Sequence, residues 1–375
     1  MHYRCPPALS RIASVATVMM LAATASASAQ RGTNIGYAPH STIVVSDTRE
    51  GPGVGINNPF YLPPRTSGIH SGIANLNLNF SGGLGGCTGS LLGTGRHVLT
   101  AAHCVTNPAG VIEATGGTVR FRNPNSGANA DYQVSAIAVK TGYSGEVIDG
   151  KDVAILTLSD EVASYVQRYN IATTYGMNEV VRFAGFGGTG TGFTGDGNFV
   201  DNDQFGNNYV LREGFNVFQN FCSAVPSSDF LPGLTECSTS STNGAIWMSD
   251  FTDPDFEQFA GLCTVYGRCG PGLGSPNEVM IGRGDSGGAA FNLGWDILGV
   301  ASWGAGGFAG FSSFDAIGGH ACVANIAGAA ECQENYNWIQ SQIAQQVVPE
   351  PSTYAMLALG LVALGGMARR RREQA

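Results

Sequence analysis

Between Ala74 and Gly304 the chain repeats one pattern: a short apolar run, then a turn signal, then another run. GSLLG, HVLTAA, GTVRFR, YQVSAIAV, DVAILTL, EVVRFAGFG and WDILGVASWG are the clearest runs. Many short strands at this spacing predict a β-sandwich or β-barrels rather than alternating strands and helices. At Ala74, Leu76, Leu78 and Phe80 the apolar residues alternate with Asn75, Asn77 and Asn79, the period of a half-buried strand. Glycine is 54 of 375 residues and charged residues only 13%, a balance that suits a loop-rich all-β protein. One helix is predicted near the end, in NYNWIQSQIAQQ, where Tyr336, Ile339 and Ile343 share a face.

Both ends read as targeting segments. Arg4 and Arg11, an apolar run from Ile12 to Ala23 and the small residues Ala27-Ser28-Ala29 describe a secretory signal peptide cut after Ala29. At the other end Val348-Pro349-Glu350-Pro351 precedes an apolar stretch from Tyr354 to Ala368 and the cluster Arg369 to Arg372. Four arginines stay on the cytoplasmic side, which leaves the body of the protein outside the membrane. This order of motif, apolar helix and basic cluster resembles the PEP-CTERM sorting signal of Gram-negative bacteria. The resemblance implies transient anchoring in the inner membrane and removal by an exosortase-like enzyme, with a periplasmic, cell-surface or extracellular product. A permanent single-span anchor is the plainer alternative.

Removal of both ends takes Lys plus Arg from 19 to 13 and Asp plus Glu from 28 to 26, a balance of −13. So acidic a body repels phosphate backbones, and nucleic acid is excluded as a partner. Eight cysteines remain after Cys5 is lost with the leader: Cys87, Cys104, Cys222, Cys237, Cys263, Cys269, Cys322 and Cys332. An even number in an exported chain points to disulfides, and no paired Cys-x-x-Cys suggests zinc. No cofactor is expected. Calcium at Asp196, Asp201 and Asp203, in a Gly-, Asn- and Asp-rich segment, is the one metal considered, although the spacing misses the EF-hand pattern.

Three stretches carry chemistry. His103 stands in GRHVLTAAHC, Asp152 in GKDVAILTL and Ser286 in GRGDSGG. A neutral serine is a poor nucleophile; it needs a base to take its proton, and the base needs an acid to hold its tautomer and stabilise the cation. GRGDSGG also admits an Arg-Gly-Asp adhesion tripeptide and the Gly-x-Ser-x-Gly elbow of α/β-hydrolases, for which Asp315 and His320 would follow the serine. The elbow requires a helix after the serine, whereas GGAAFNLGWDILGVASWG reads as a turn and strands.

The order His, Asp, Ser, with Thr100 to Cys104, Asp152 to Leu156 and Gly284 to Gly288 around the three residues, resembles the chymotrypsin-like, or trypsin-like, serine proteases. The resemblance runs from about Gly72 to Gln346. It implies a disulfide between Cys87 and Cys104, a substrate-pairing strand at Ser302-Trp303-Gly304 and a C-terminal helix carrying Trp338 and Ile339. It also implies an oxyanion site from the amides of Gly284 and Ser286, where glycine lets the backbone turn sharply.

The chain departs from the family at the specificity pocket, in activation and in length. Gly282 stands where a pocket-bracing cysteine is common, so the pocket loop must be held some other way. At the pocket floor stand Met280 and Ile281 in place of a trypsin-type aspartate, which implies an apolar or small residue before the scissile bond. No Ile-Val-Gly-Gly stands upstream for activation; cleavage after Arg65 and activity without processing are both open. The span from Asp152 to Ser286 is some forty residues longer than in compact relatives by rough comparison, room for substrate-facing insertions. His40, His70, His97 and His320 are expected at the surface or in loops.

The expected organisation is a signal peptide (1–29), an arm or propeptide (30–68), a protease domain of two antiparallel β-barrels (69–346) and a sorting segment (347–375). Within the domain the barrels are expected at about 69–165 and 175–334, and the helix at 335–346. The implied activity is endopeptidase cleavage of proteins or peptides. The alternative is a catalytically silent surface or matrix protein that keeps the fold in order to bind partners.

Overall fold

The computed structural model describes residues 44–45, 59–188, 190–191, 210–221, 245–251, 273, 278–305 and 317–345. Six early strands close into a barrel: β2 (Ile73–Phe80), β3 (Gly83–Leu91), β4 (His97–Thr100), β5 (Gly117–Arg122), β6 (Asn129–Val139) and β7 (Ala154–Leu158), in the order β2-β3-β4-β7-β6-β5. Every pairing is antiparallel, and Ile73, Leu76, Val98, Leu99, Phe121 and Leu156 are all buried on one face of the wall or the other.

The later strands form a half-barrel: β8 (Val180–Gly185), β10 (Arg212–Val217), β11 (Asn220–Phe221), β12 (Ile246–Asp250), β14 (Ala289–Phe291), β15 (Ile297–Ala305) and β16 (Ile317–Cys322), in the order β10-β8-β14-β15-β16-β12-β11. The expected second barrel is, among the described residues, this seven-stranded sheet without closure. Its core gathers Val181, Phe183, Phe218, Trp247 and Leu298. A third small sheet joins β1 (Val44–Val45) to β9 (Gly190–Thr191) on one side and β13 (Val279–Met280) on the other.

Each strand-like run of the sequence lies on a strand, yet β2 does not alternate as its residues suggest. Asn75 is as buried as Leu76, because β2 also packs toward β8, and Asn77 Nδ2 donates to Asn75 Oδ1 at 3.0 Å. Residues of the predicted arm are likewise built in. Val44 and Val45 pair with Met280 and Val279, and Tyr61 is fully buried in the second core. Arg65 donates to the Gly127 carbonyl at 3.0 Å and to Asn129 Oδ1 at 3.1 Å. A cut after Arg65 would separate β1 and Tyr61 from the covalent chain that follows.

The helix α1 spans Ala330–Gln345, five residues earlier at its start than the periodicity of Tyr336, Ile339 and Ile343 indicates. Its first turn holds Glu331, the charge that suits a helix N-terminus, and Cys332, which bonds to Cys322 at the end of β16. That disulfide is one the sequence left unpaired; Cys222, Cys237, Cys263 and Cys269 lie outside the described residues, as does much of the long span before Ser286. Residues Asn337 onward belong to a second compact unit, of which the tail of α1 is described; there Ser341 Oγ donates to the Trp338 carbonyl at 2.6 Å. Among the described residues no helix is long and apolar enough to cross a membrane, and both targeting segments lie outside them.

The histidines correct one expectation. His40 lies outside the described residues; His97 on β4 and His320 on β16 are buried rather than at the surface or in loops, and His70 lies in a turn before β2 as expected but is buried too. His97 Nδ1 is 2.7 Å from Thr94 Oγ1. His70 sits 2.9 Å from Glu213 and 2.6 Å from Ser67 Oγ, so it is covered because it has polar partners. Burial alone would raise the Glu213 carboxyl, but His70 and Arg182 outweigh it and hold it below its usual range.

His320 is different. It stacks on Phe183 at 4.5 Å, neither ring nitrogen has a hydrogen-bond partner among the described residues, and burial pushes its pKa down to about 3 from 6.5. Between those values the unfolded chain binds a proton that the folded chain refuses, so stability is full above about pH 6.5 and falls as the pH drops toward 3. The slope from this one group is about 1.4 kcal/mol per pH unit, on the order of 4 kcal/mol over the window. Denaturant titrations of His320→Phe should be flatter with pH than those of the native chain and show higher stability at pH 5. Parallel curves would show that His320 contributes none of the acid sensitivity.

Candidate active site

His103 lies in a short 3-10 turn, Ala102–Cys104, that follows β4, and the disulfide from Cys104 to Cys87 on β3 pins that turn to the barrel wall. The bond closes a loop with a separation of 17 residues, about 3 kcal/mol on the chain-entropy account. Asp152 stands just before β7, fully buried. One of its oxygens accepts the His103 backbone N–H at 2.8 Å, and the other lies 2.6 Å from His103 Nδ1. A buried carboxylate is costly unless partnered, and these two contacts, with the hydroxyl of Ser302, supply the partners. They also fix the imidazole: Nδ1 faces the acid, so Nε2 is the nitrogen left for other chemistry, and it makes no hydrogen bond among the described residues.

Ser302 reaches Asp152 through a break in the ladder. Its register on β16 shifts between Ala301 and Trp303, and a bulge of this kind re-aims the side chain it carries. The Ser302 hydroxyl lies within donor reach of both Asp152 Oδ2 and the Val147 carbonyl, so its single proton serves one or the other. Trp303 packs over Gly319, where a Cβ would fall 2.1 Å from the indole nitrogen. β14 pairs with β15 only as far as Val300, so it does not cover the stretch from Ser302 to Gly304.

Ser286 occupies a turn whose backbone is bound to both halves of the fold. Its carbonyl accepts from Thr88 N on β3 at 2.9 Å and lies 3.5 Å from the Cys104 sulfur, next to His103. Gly287 N and Ala301 N exchange hydrogen bonds with Ala301 O and Gly288 O, at 2.8 Å each, which ties the turn to β15. Thr88 Oγ1 donates to the Gly284 carbonyl and accepts from Phe186 N, both at 3.0 Å.

Gly284 has φ +100°, a conformation that L side chains rarely adopt, and a Cβ on Gly287 would meet Thr100 Oγ1 at 2.0 Å. Among the described residues neither the Gly284 nor the Ser286 amide donates to a protein acceptor. Ser286 is partly exposed, and no contact between its hydroxyl and His103 Nε2 is of hydrogen-bond length. Such bonds are often long before a substrate is bound.

Asp285 is nearly fully buried, with its carboxylate accepting Gly187 N–H at 2.8 Å and Gly282 N–H at 2.9 Å, which removes the adhesion reading of Arg283-Gly284-Asp285. The serine is followed by the strand β14 and not a helix, and His320 is buried within β16, which removes the hydrolase elbow. Asp315 lies outside the described residues.

Met280 and Ile281 are both buried. Met280 belongs to β13 and to the second core, where a Cβ on Gly318 would fall 2.7 Å from its sulfur. Met280 is also held by β1, whose Val44 pairs with it. Sequence reasoning passed over β1, although two β-branched valines were the signal for it. It also missed Thr88, whose role rests on contacts to residues almost two hundred positions away.

The Cys87, His103 and Cys104 donors lie within 4.8 Å of one another, but both sulfurs are spent in the disulfide and offer no thiolate to a metal. The calcium candidates Asp196, Asp201 and Asp203 lie outside the described residues.

Residues 67–209 match the Trypsin family, a stretch that includes His103 and Asp152 and ends before Ser286. Residues 347–372 match the PEP-CTERM protein-sorting motif. No curated protein matches the chain. Solved structures do. HL collagenase is 18% identical over 76% of this chain and 97% of its own, with TM-score 0.47. A Glu endopeptidase in complex with MPD is 17% identical over 75% and 95%, with TM-score 0.46. Neuropsin, a serine protease expressed in the limbic system of mouse brain, is 19% identical over 76% and 98%, with TM-score 0.47.

Proposed function

We propose, taking the Trypsin-family segment and the PEP-CTERM sorting motif as premises, that this chain is an exported serine endopeptidase. The observation that carries the reading is the buried Asp152 bonded to both the backbone and the ring of His103, with the Ser286 turn strapped against the same corner by Thr88. A carboxylate in that position has one productive use: it holds Nδ1 protonated and leaves Nε2 free to take a proton.

In this reading Ser286 Oγ attacks the substrate carbonyl as His103 Nε2 takes its proton. The developing oxyanion is met by the amides of Gly284 and Ser286, already oriented by the glycine turn. His103 returns the proton to the departing amine, an acyl-enzyme remains on Ser286, and water repeats the sequence in reverse. The substrate backbone lies along Ser302-Trp303-Gly304, adding a strand as extended peptides do. No cofactor enters the cycle. The sorting motif directs export and processing by an exosortase-like partner, with the membrane contact confined to the C-terminal segment before its removal.

The residue before the scissile bond is apolar or small, because Met280 and Ile281 present no charge to pair with Lys or Arg. Profiling the secreted protein on a peptide library should give cleavage after apolar or small residues. Preference for basic residues would overturn the specificity, and no cleavage of any member would overturn the activity.

A further inference from the structure

We infer that Asn335 is a positioning residue for the acid of the active site, holding the turn that carries Asp152 onto the second sheet. The inference rests on the peptidase reading. Asn335 lies in the first turns of α1, is 2% exposed, and uses both hydrogens of its amide nitrogen. One goes to the Gly150 carbonyl and the other to the Cys322 carbonyl, each at 2.8 Å. Gly150 precedes Asp152 by two residues in the turn before β7, and Cys322 ends β16. Two carbonyls can be satisfied at once from one atom by an amide nitrogen, so the residue type follows from the geometry.

The surroundings make this contact a rigid one. Cys332, three residues before Asn335, is bonded to Cys322, so the helix start cannot drift from the end of β16. The turn itself has its other end held by the second sheet, where Ser302 lies within donor reach of the Val147 carbonyl. Within the turn, Lys151 N donates to Asp149 Oδ1 and Val153 N to the Lys151 carbonyl, both at 2.7 Å. Asp152 is thus carried on a short span that Asn335 clamps at Gly150, while Ser302 reaches it either at the Val147 carbonyl or at the Asp152 carboxylate itself. A neighbouring contact, Lys140 to Glu334 at 2.9 Å, joins α1 to the end of β6, and Glu334 acts on the turn only through the charge of Lys151. It is the natural control.

The test compares Asn335→Leu with Glu334→Gln in the full secreted protein, with active sites counted by a fluorophosphonate so that kcat refers to labelled molecules. Asn335→Leu should lose about 10- to 100-fold in kcat, the order expected when a catalytic group is displaced by part of an ångström to an ångström. KM should stay within about twofold, since no substrate contact is changed. The acid limb of its pH profile should move to lower pH, because a loosened carboxylate stabilises the imidazolium less. Glu334→Gln should change melting temperature alone.

Should Asn335→Leu not fold, Asn335→Ser, whose single donor serves one carbonyl at a time, should give a smaller loss of kcat with the same shift of the acid limb. A lowered melting temperature with kcat per labelled site and pH profile unchanged, or equal kcat losses in the Asn335 and Glu334 variants, would overturn the positioning role alone. Absence of turnover in the native protein would instead overturn the peptidase reading on which it stands.

Discussion

Ser286→Ala should lower kcat by about a million-fold, leaving a residual of about a thousand-fold over water from the oxyanion site and substrate binding. The fold should survive, because the contacts that hold the turn use the backbone: Thr88 N to the Ser286 carbonyl, Gly287 N to Ala301 O, Ala301 N to Gly288 O. Only Oγ is removed, and it is the one atom the mechanism asks to become a nucleophile. The same substitution should abolish labelling by a fluorophosphonate, while KM for peptides changes little. This pair of readouts separates the endopeptidase from a silent relative that keeps the fold to bind partners. A binding protein would label equally with and without the hydroxyl, or in neither case, and would hold its peptide as tightly after the substitution.

Asp152→Asn should cost about ten-thousand-fold in kcat with little change in KM. The reason lies in hydrogen-bond polarity. Asp152 accepts from the His103 backbone N–H through one oxygen and lies against His103 Nδ1 through the other, within reach of Ser302 Oγ. An asparagine can keep its oxygen toward the backbone N–H only by turning its amide nitrogen to Nδ1. That nitrogen donates, so Nδ1 must accept and the ring proton moves to Nε2, the position that has to be bare to receive the serine proton. Labelling should persist at a rate reduced in proportion to kcat, unlike the Ser286→Ala case. Retention of most activity in Asp152→Asn would mean that this carboxylate orients nothing, and the peptidase reading would lose its central observation.

The site was legible unevenly. His103, Asp152 and Ser286 stand in local stretches whose residue types serve the chemistry, and the Cys87–Cys104 bond came with the resemblance. The histidines show the opposite case. His70 and His320 have unremarkable neighbours in sequence, and folding put them beside Glu213 and Phe183 in turn. The segment before residue 69 reads as an arm or propeptide, yet Val44–Val45 forms a strand between β9 and β13. A two-residue strand has no period to read, and its stability comes from the partners that enclose it.

What the chain alone determined is the local chemistry: short β-forming runs between glycine turns, a sorting motif near the C-terminus, an excess of acidic residues, and three side chains of the right kinds in an order that resembles one family. Those features are legible because each depends on residues a few positions apart. Tertiary structure decided the pairings that span the chain. It set Ser302 against Asp152 through a bulge, Asn335 against Gly150, Thr88 under the serine turn and β1 against Met280. A hydrogen bond between residues some two hundred positions apart leaves no periodicity behind, since its geometry exists only once both sheets have closed around it.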